Sequence, residues 1–423
     1  MSSIKNMNIA IIGSGVSGLV SSLILSRKHN IAIFEKNSYI GGHVHTHKLN
    51  DGHEVFNVDS GFIVYNENTY PNFIKLMKLL NVQTQNTSMS FSYTDDNDFE
   101  YSGNSINSLF SKKTNFLNVK FYLFLYNILK FNKIALDDLD DLDIELKLID
   151  YLKNNKISNN LIEKYIIPMG SAIWSTDPDT MKNMPAKFFI RFFKNHGLLD
   201  VRNRPQWKVI KNGSFQYVKK IYKELKKNDV KIYLDHTVNE VRRDKNNVII
   251  KIEGKGEKHF DKIIFACHSN QALRLLKDST LDEKNILGDI QYQENIATIH
   301  TDTNILPKRK KAWSSWNYLS TKKSNKVVLT YNMNILQSLK SENVFCVTIN
   351  DPGLIEQKKI IKIINYSHPL FSKSSLNAQS NKNLINGKNN TFFSGAYWGY
   401  GFHEDGVNSA LEVCKHFNMG LDG

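Results

Sequence analysis

The chain has 423 residues, 41% of them hydrophobic, and carries 55 Lys and Arg against 41 Asp and Glu, a formal net charge of +14. That length exceeds one small domain and permits two sizeable cores, so two domains, discontinuous in sequence, are expected. The lysines are scattered and accompany no recognised nucleic-acid module; this sets nucleic-acid binding aside and leaves a solvated basic surface, or attraction to an anionic membrane or substrate.

Met7 to Ile12 reads as a buried strand, a helix follows, and Ile31 to Phe34 forms a second strand ending at Glu35 and Lys36. Gly13, Ser14, Gly15, Val16, Ser17 and Gly18 lie at the strand-to-helix turn with the spacing of a dinucleotide site. There Gly13 turns the chain, Gly15 lets a pyrophosphate approach the backbone, and Gly18 lets the helix pack on the strand. The pyrophosphate is expected on the free N–H groups of the helix N-terminus, with Glu35 accepting hydrogen bonds from ribose hydroxyls. A second glycine pair, Gly41 and Gly42 with His43, follows by a short loop and resembles the extended fingerprint of flavoproteins, which favours FAD over NAD. His43, His45 and His47 alternate, but without a nearby carboxylate or cysteine set no metal site is expected.

Phe56 to Tyr65 reads as a strand with a turn at Ser60-Gly61, and Asp59, Ser60 and Gly61 are placed at the cofactor. Tyr70 to Leu80 reads as an amphipathic helix and residues 83 to 101 as short strands. Asn118 to Lys133 is an apolar, aromatic stretch punctuated by Lys120, Lys130 and Lys133. It fits either a core helix of the second domain or an interfacial helix, with Phe and Leu in lipid and Lys near phosphates. The acidic run Asp137 to Asp143 reads as a solvated helix start, with helices at 144–165 and 186–196. Trp174 suits the core or a pocket; Arg191, Arg202, Arg204 and Trp207 suit an anionic headgroup site or a surface ion-pair cluster.

Gly213 to Lys227 reads as a helix, with strands at Val230 to Leu234, Val248 to Ile252 and Lys262 to Ala266. Thr391 to Phe417 reads as a strand, a Gly-rich aromatic turn and a helix starting near Asp405. Gly395, His403, Asp405, Gly406 and Val407 would present a second helix end to the flavin. Tyr397, Trp398 and Tyr400 are candidates for an aromatic cage, and His403 and Glu404 for acid/base work. The nucleotide domain is therefore expected over 1–68, 208–269 and 390–423, and the substrate domain over 69–207 and 270–389. Cys267, Cys346 and Cys414 are isolated and fit a reducing cytosol. No signal peptide and no apolar run of roughly 20 residues are seen, so a cytoplasmic protein, soluble or peripheral on the inner membrane, is expected.

The strings GSGVSGL with GGH, DSGFIVYN, PMGSAIWS, FFKNHGLL, RPQWKVI, FACHSNQAL, WNYL and GAYWGYGFHEDG together resemble a bacterial family of predicted NAD/FAD-binding, flavin amine oxidase-like proteins, over nearly the whole chain. The resemblance implies the amine oxidase and phytoene desaturase superfamily: an α/β, Rossmann-like FAD-binding domain with an inserted α+β substrate domain. It also implies company with cyclopropane-fatty-acid-synthase-like methyltransferases, hence hydrophobic or phospholipid substrates. True amine oxidases usually carry an acidic residue where this chain reads Gly395-Ala396-Tyr397, and often an arginine where it has His43, which argues against amine oxidation. The expected activity is dehydrogenation or isomerisation of a membrane-lipid acyl chain by hydride transfer to flavin N5, with oxygen, a quinone or a carrier as final acceptor. The alternatives are an amine oxidase acting on soluble amines and a non-turnover flavoprotein scaffold for a lipid methyltransferase.

Overall fold

A computed structural model describes residues 6–200, 204–245 and 247–422. Five strands, Asn8–Ile12 (β1), Asn30–Phe34 (β2), Lys231–Tyr233 (β3), Lys262–Phe265 (β4) and Thr391–Phe393 (β5), form one sheet in the order β3-β2-β1-β4-β5. Every neighbouring pair is parallel. The central strands are almost continuously apolar because both faces are covered. On one face lie the helices Val16–Leu25 (α1), Phe215–Lys227 (α2) and His403–Lys415 (α3), sharing a core that includes Leu19, Leu23, Val218, Ile221, Val407 and Ala410. On the other lie an antiparallel meander, Val238–Arg243, Val248–Ile252 and Gly256–Phe260, and the helices Ser269–Leu275 and Leu281–Gly288. This is a Rossmann-like α/β layer.

A seven-stranded mixed sheet draws Phe91–Asp95 and Glu100–Ser102 from one part of the chain and Tyr292–His300, Trp316–Ser320, Leu329–Asn332, Cys346–Ile349 and Ile360–Pro369 from another. Its core is shared with the helices Val119–Asp138, Ile167–Trp174 and Ala186–Asn195.

Several elements differ from the sequence reading. Asp137 and Asp138 end a helix rather than start one. The helix C-terminus disfavours their charge, but Asp138 accepts a hydrogen bond of 2.9 Å from the Tyr151 hydroxyl. The span 144–165 is broken, Leu148–Asn154 stopping before Lys156, which has a φ of +51°. The strands Val238–Arg243 and Gly256–Phe260 went unread because their outward residues are charged and their sequences show little apolar pattern. The last helix begins at His403, two residues before Asp405.

Candidate functional site

The turn after β1 is built by its glycines in different ways. Gly13 has a φ of +103°, and a Cβ there would lie 2.6 Å from the Ala266 carbonyl oxygen. A Cβ on Gly18 would lie 2.2 Å from the Gly13 carbonyl oxygen, so the helix can start this close to the strand only without a side chain. Gly15 is unlike both: a Cβ there meets nothing within 4 Å. It faces open space at the N-terminus of α1, where unpaired N–H groups and the helix dipole favour an anion.

Ser14 donates to Glu35 Oε2 from its backbone N–H at 3.0 Å and its hydroxyl at 2.7 Å. Glu35 Oε1 accepts from the backbone and side chain of Asn37 at 3.0 and 2.9 Å. The carboxylate thus ties the turn to the end of β2 with all four of its lone-pair sites taken, so a ribose hydroxyl could bind it only by displacing one of these donors. Ser17 is buried within α1, and Lys36 is exposed. The Gly41-Gly42 loop closes over this turn: Gly41 donates 3.0 Å to the Ser14 carbonyl, and a Cβ on Gly42 would lie 3.1 Å from Gly15 Cα.

Beyond that loop, His43, His268 and His368 face one another, the His43 ring centroid 6.1 Å from His268 and 5.6 Å from His368. Tyr366 stacks on His43 at 5.0 Å and Tyr292 on His268 at 4.5 Å. Burial, then the neighbouring imidazoles, pulls His268 and His368 down to about 3, and burial lowers His43. All three are neutral at pH 7. Yet they, with Gly15, Gly42 and Gly61, keep part of their surface open. These side chains are thus desolvated and yet still partly accessible. His43 Nε2, Ser394 Oγ and His403 Nε2 are buried polar atoms without a partner. Open space over Gly15, an unpaired helix end and orphaned donors and acceptors fit a bound dinucleotide.

The turn at residues 59–61 divides its labour. Asp59 accepts from the Ser214 backbone N–H at 2.9 Å, the Ser214 hydroxyl at 2.9 Å, Gln337 Nε2 at 2.9 Å and the Thr46 hydroxyl. Burial pushes its carboxyl up to about 6 against those bonds. Expected at the cofactor, Asp59 has both oxygens bound internally and clamps segments distant in sequence. Ser60 Oγ lies 2.8 Å from His47 Nε2 and 2.9 Å from the Tyr366 hydroxyl. Gly61 passes close to His43: a Cβ would sit 2.1 Å from its carbonyl oxygen. Among the described residues no group of three His, Cys, Asp or Glu could hold a metal ion.

At the C-terminal segment, Gly395 donates 3.0 Å to Ser409 Oγ, and Gly406 faces Val16, whose Cγ1 would lie 2.5 Å from an added Cβ. The N-terminal turns of α3 and α1 therefore meet, with Val407 in the core between them. Asp405 accepts 2.9 Å from the Phe402 N–H and is pushed up to about 7 by burial. Both Glu404 oxygens accept backbone N–H groups, of Asn72 at 3.0 Å and Phe73 at 2.8 Å, so it caps the helix Pro71–Leu79. His403 stacks on Phe62 at 3.6 Å and is held neutral, well below the usual range, by burial.

The three cage candidates are separated. Tyr397 and Trp398 pack on the Rossmann layer, Trp398 donating 2.9 Å to the Phe393 carbonyl. Tyr400 packs against the second core, 4.6 Å from Phe188 and 5.3 Å from Phe192. Trp174 donates 3.1 Å to the Tyr400 carbonyl, and Phe371 stacks on Phe188 at 4.9 Å. Beside them opens a cleft of about 250 Å³ bordered by Ile144, Lys187, Phe188, Arg191, Leu376 and Tyr400. Of the expected basic cluster, Arg191 lies at this cleft and Trp207 opens a strand paired with Asn66 and Thr87. Arg204 acts electrostatically on Tyr165, and Arg202 is outside the described residues. Sequence reasoning missed His268, His368, Phe188 and Phe192. His268 follows the end of a strand in FACH, and Phe188 and Phe192 stand four apart on one helix, signals that only a fold turns into a site.

Solved structures match the whole chain. A CLA-producing fatty acid isomerase from P. acnes shares 14% identity and a TM-score of 0.69, covering 99% of this chain and 100% of that one. A putative protoporphyrinogen oxidase from Exiguobacterium sp. 255-15 gives 14% and 0.69 over 98% and 99%. Putrescine oxidase bound to putrescine gives 12% and 0.69 over 98% and 99%. No curated protein sequence matches. The model of the flavin containing amine oxidoreductase family matches residues 16–337, and the chain belongs to that family as an FAD-dependent oxidoreductase.

Proposed function

We propose that the protein dehydrogenates or isomerises a hydrophobic substrate, a membrane-lipid acyl chain. The carrying observation is the aromatic wall formed by Trp174, Phe188, Phe192 and Phe371 against Tyr400. Phe188 and Tyr400 present this wall to the cleft, where it would orient an alkyl or alkenyl chain by contact; the imidazoles of His43, His268 and His368 are neutral, and the cations Lys187 and Arg191 stand at the cleft's rim. When bound, FAD supplies a two-electron acceptor for a C–H hydride. The likeness of fold to a fatty acid isomerase supports the same reading. Separation of Tyr397 and Trp398 from Tyr400 weighs against an amine-binding cage among these three.

The test is anaerobic mixing of the yellow holoprotein with fatty acids and phospholipids, and separately with amines, while following flavin absorbance and then analysing the recovered acyl chains. Bleaching by lipid with a new double bond, or a moved double bond without net bleaching, is expected. Bleaching by amines alone would overturn the proposal, as would acyl chains recovered unchanged without bleaching.

A further inference from the structure

Ten of the eighteen exposed large apolar side chains among the described residues fall between Ile106 and Ile144. They centre on the helix Val119–Asp138, which is apolar on two opposite faces. Phe121, Phe124 and Phe131 turn into the core at 2% exposure or less. Val119, Leu123 and Tyr126, spaced for one helical face, turn outward at 80%, 56% and 62%. Leu117, immediately before the helix, is 92% exposed. A second apolar face on a water-soluble surface calls for a partner.

Charge identifies that partner. From Gly103 to Leu136 the chain has five lysines and no Asp or Glu. Lys130 and Lys133 continue the outward face four and seven residues after Tyr126, and Lys113 and Lys120 flank its start; all four are exposed. Among the described residues none of these four has an ion-pair partner, and no helix is long and apolar enough to cross a membrane. An apolar strip edged by unpaired lysines matches the boundary between acyl chains and anionic headgroups: Leu, Val and Tyr enter, and the lysine stems keep their ammonium groups at the phosphates.

We propose that the outer face of this helix, from Leu117 to Lys133, seats the protein on an anionic bilayer with the helix lying in the plane of the surface. The loop after the helix reaches the aromatic cleft, where Lys187 Nζ donates 3.2 Å to the Asp140 carbonyl and Ile144 forms part of the rim.

Flotation of the holoprotein with vesicles tests this. Phosphatidylglycerol vesicles should carry it, with about tenfold weaker binding to pure phosphatidylcholine or in high salt. The double variant Leu123→Asp with Tyr126→Asp should lose binding while keeping its FAD content and unfolding midpoint. Lys130→Glu with Lys133→Glu should weaken binding and flatten its salt dependence. Ile361→Asp with Ile363→Asp, placed on an edge strand elsewhere, should change nothing. Failure of the wild type to float with anionic vesicles would overturn the proposal, as would unchanged flotation of the Leu123/Tyr126 variant. So would a concentration-dependent dimer, lost in that variant, in a protein that ignores vesicles. Flotation needs no turnover and acyl-chain oxidation can be read on detergent-dispersed lipid, so either proposal can fail without the other.

Discussion

Two glycines of one turn should fail in different ways. Gly15 has a φ of −67°, open to any L-residue, and its added Cβ meets empty space. Gly15→Val should therefore fold with an unchanged apoprotein unfolding midpoint and purify colourless, because the side chain would fill the open space where a pyrophosphate is expected. Gly13, at a φ of +103° and with the Ala266 carbonyl 2.6 Å from its Cβ position, should instead lose soluble protein when replaced by Val. Flavin absorbance per folded protein separates the two, and a normal FAD content in Gly15→Val would remove the pyrophosphate from this turn. Glu404 carries a related lesson. Sequence made it an acid/base candidate because it neighbours the glycine-rich turn, whereas its partners, the Asn72 and Phe73 N–H groups, lie more than 300 residues away and appear only in the fold.

The crossing of α1 and α3 is the contact on which both helix N-termini depend. A Cβ at Gly406 would sit 2.5 Å from Val16 Cγ1, so Gly406→Leu has to push the helices apart. We expect a loss of about 1–3 kcal/mol in denaturant unfolding, as for other overpacked cores, and partial recovery on adding Val16→Ala. If the two changes are simply additive, the contact does not control the crossing. At this scale the sequence was legible wherever the chemistry was local. The first strand, turn, helix and acid occupy some 30 consecutive residues, and the strand-to-helix order at the C-terminus is equally compact. The aromatic cage was not legible, because a short turn between Tyr397 and Tyr400 sends neighbouring residues into different cores. The aromatic stretch read correctly as apolar, but hydropathy alone does not say that only one of its two faces is buried.

Across the molecule, burial acts in opposite directions on histidines and carboxylates, and their sum sets the acid limit of stability. His45, His196 and His300 are pulled down to about 4 and His47, His268 and His368 to about 3, burial being the leading cause in each. An unfolded chain takes up these protons near pH 6.5. As pH falls from 6.5 towards 4 the unfolded state therefore binds more protons and stability declines. Asp59 and Asp405, raised to about 6 and about 7, work the other way: the folded state takes up their protons first, so their contribution grows as pH falls towards the unfolded carboxylate value. The lowered histidines, His29, His43 and His403 among them, outnumber the raised carboxylates, which include Glu404, and leave a net loss on acidification. His300 isolates one proton from this sum, its ring bonded to Thr348 and Asp302 and not part of the His43, His268 and His368 group. It is fully buried; its Nδ1 accepts the Asp302 N–H at 3.0 Å and its Nε2 lies 2.7 Å from the Thr348 hydroxyl, so protonation would break the first bond. Between pH 5.5 and 4.5, roughly, His300→Asn should flatten the fall in unfolding free energy by up to ~1.4 kcal/mol per pH unit, one proton's worth, while lowering stability at pH 8. Urea unfolding of both proteins across that range measures it. Parallel slopes would mean that His300 is protonated in the folded protein and that burial does not hold it neutral against the Asp302 and Asp351 carboxylates.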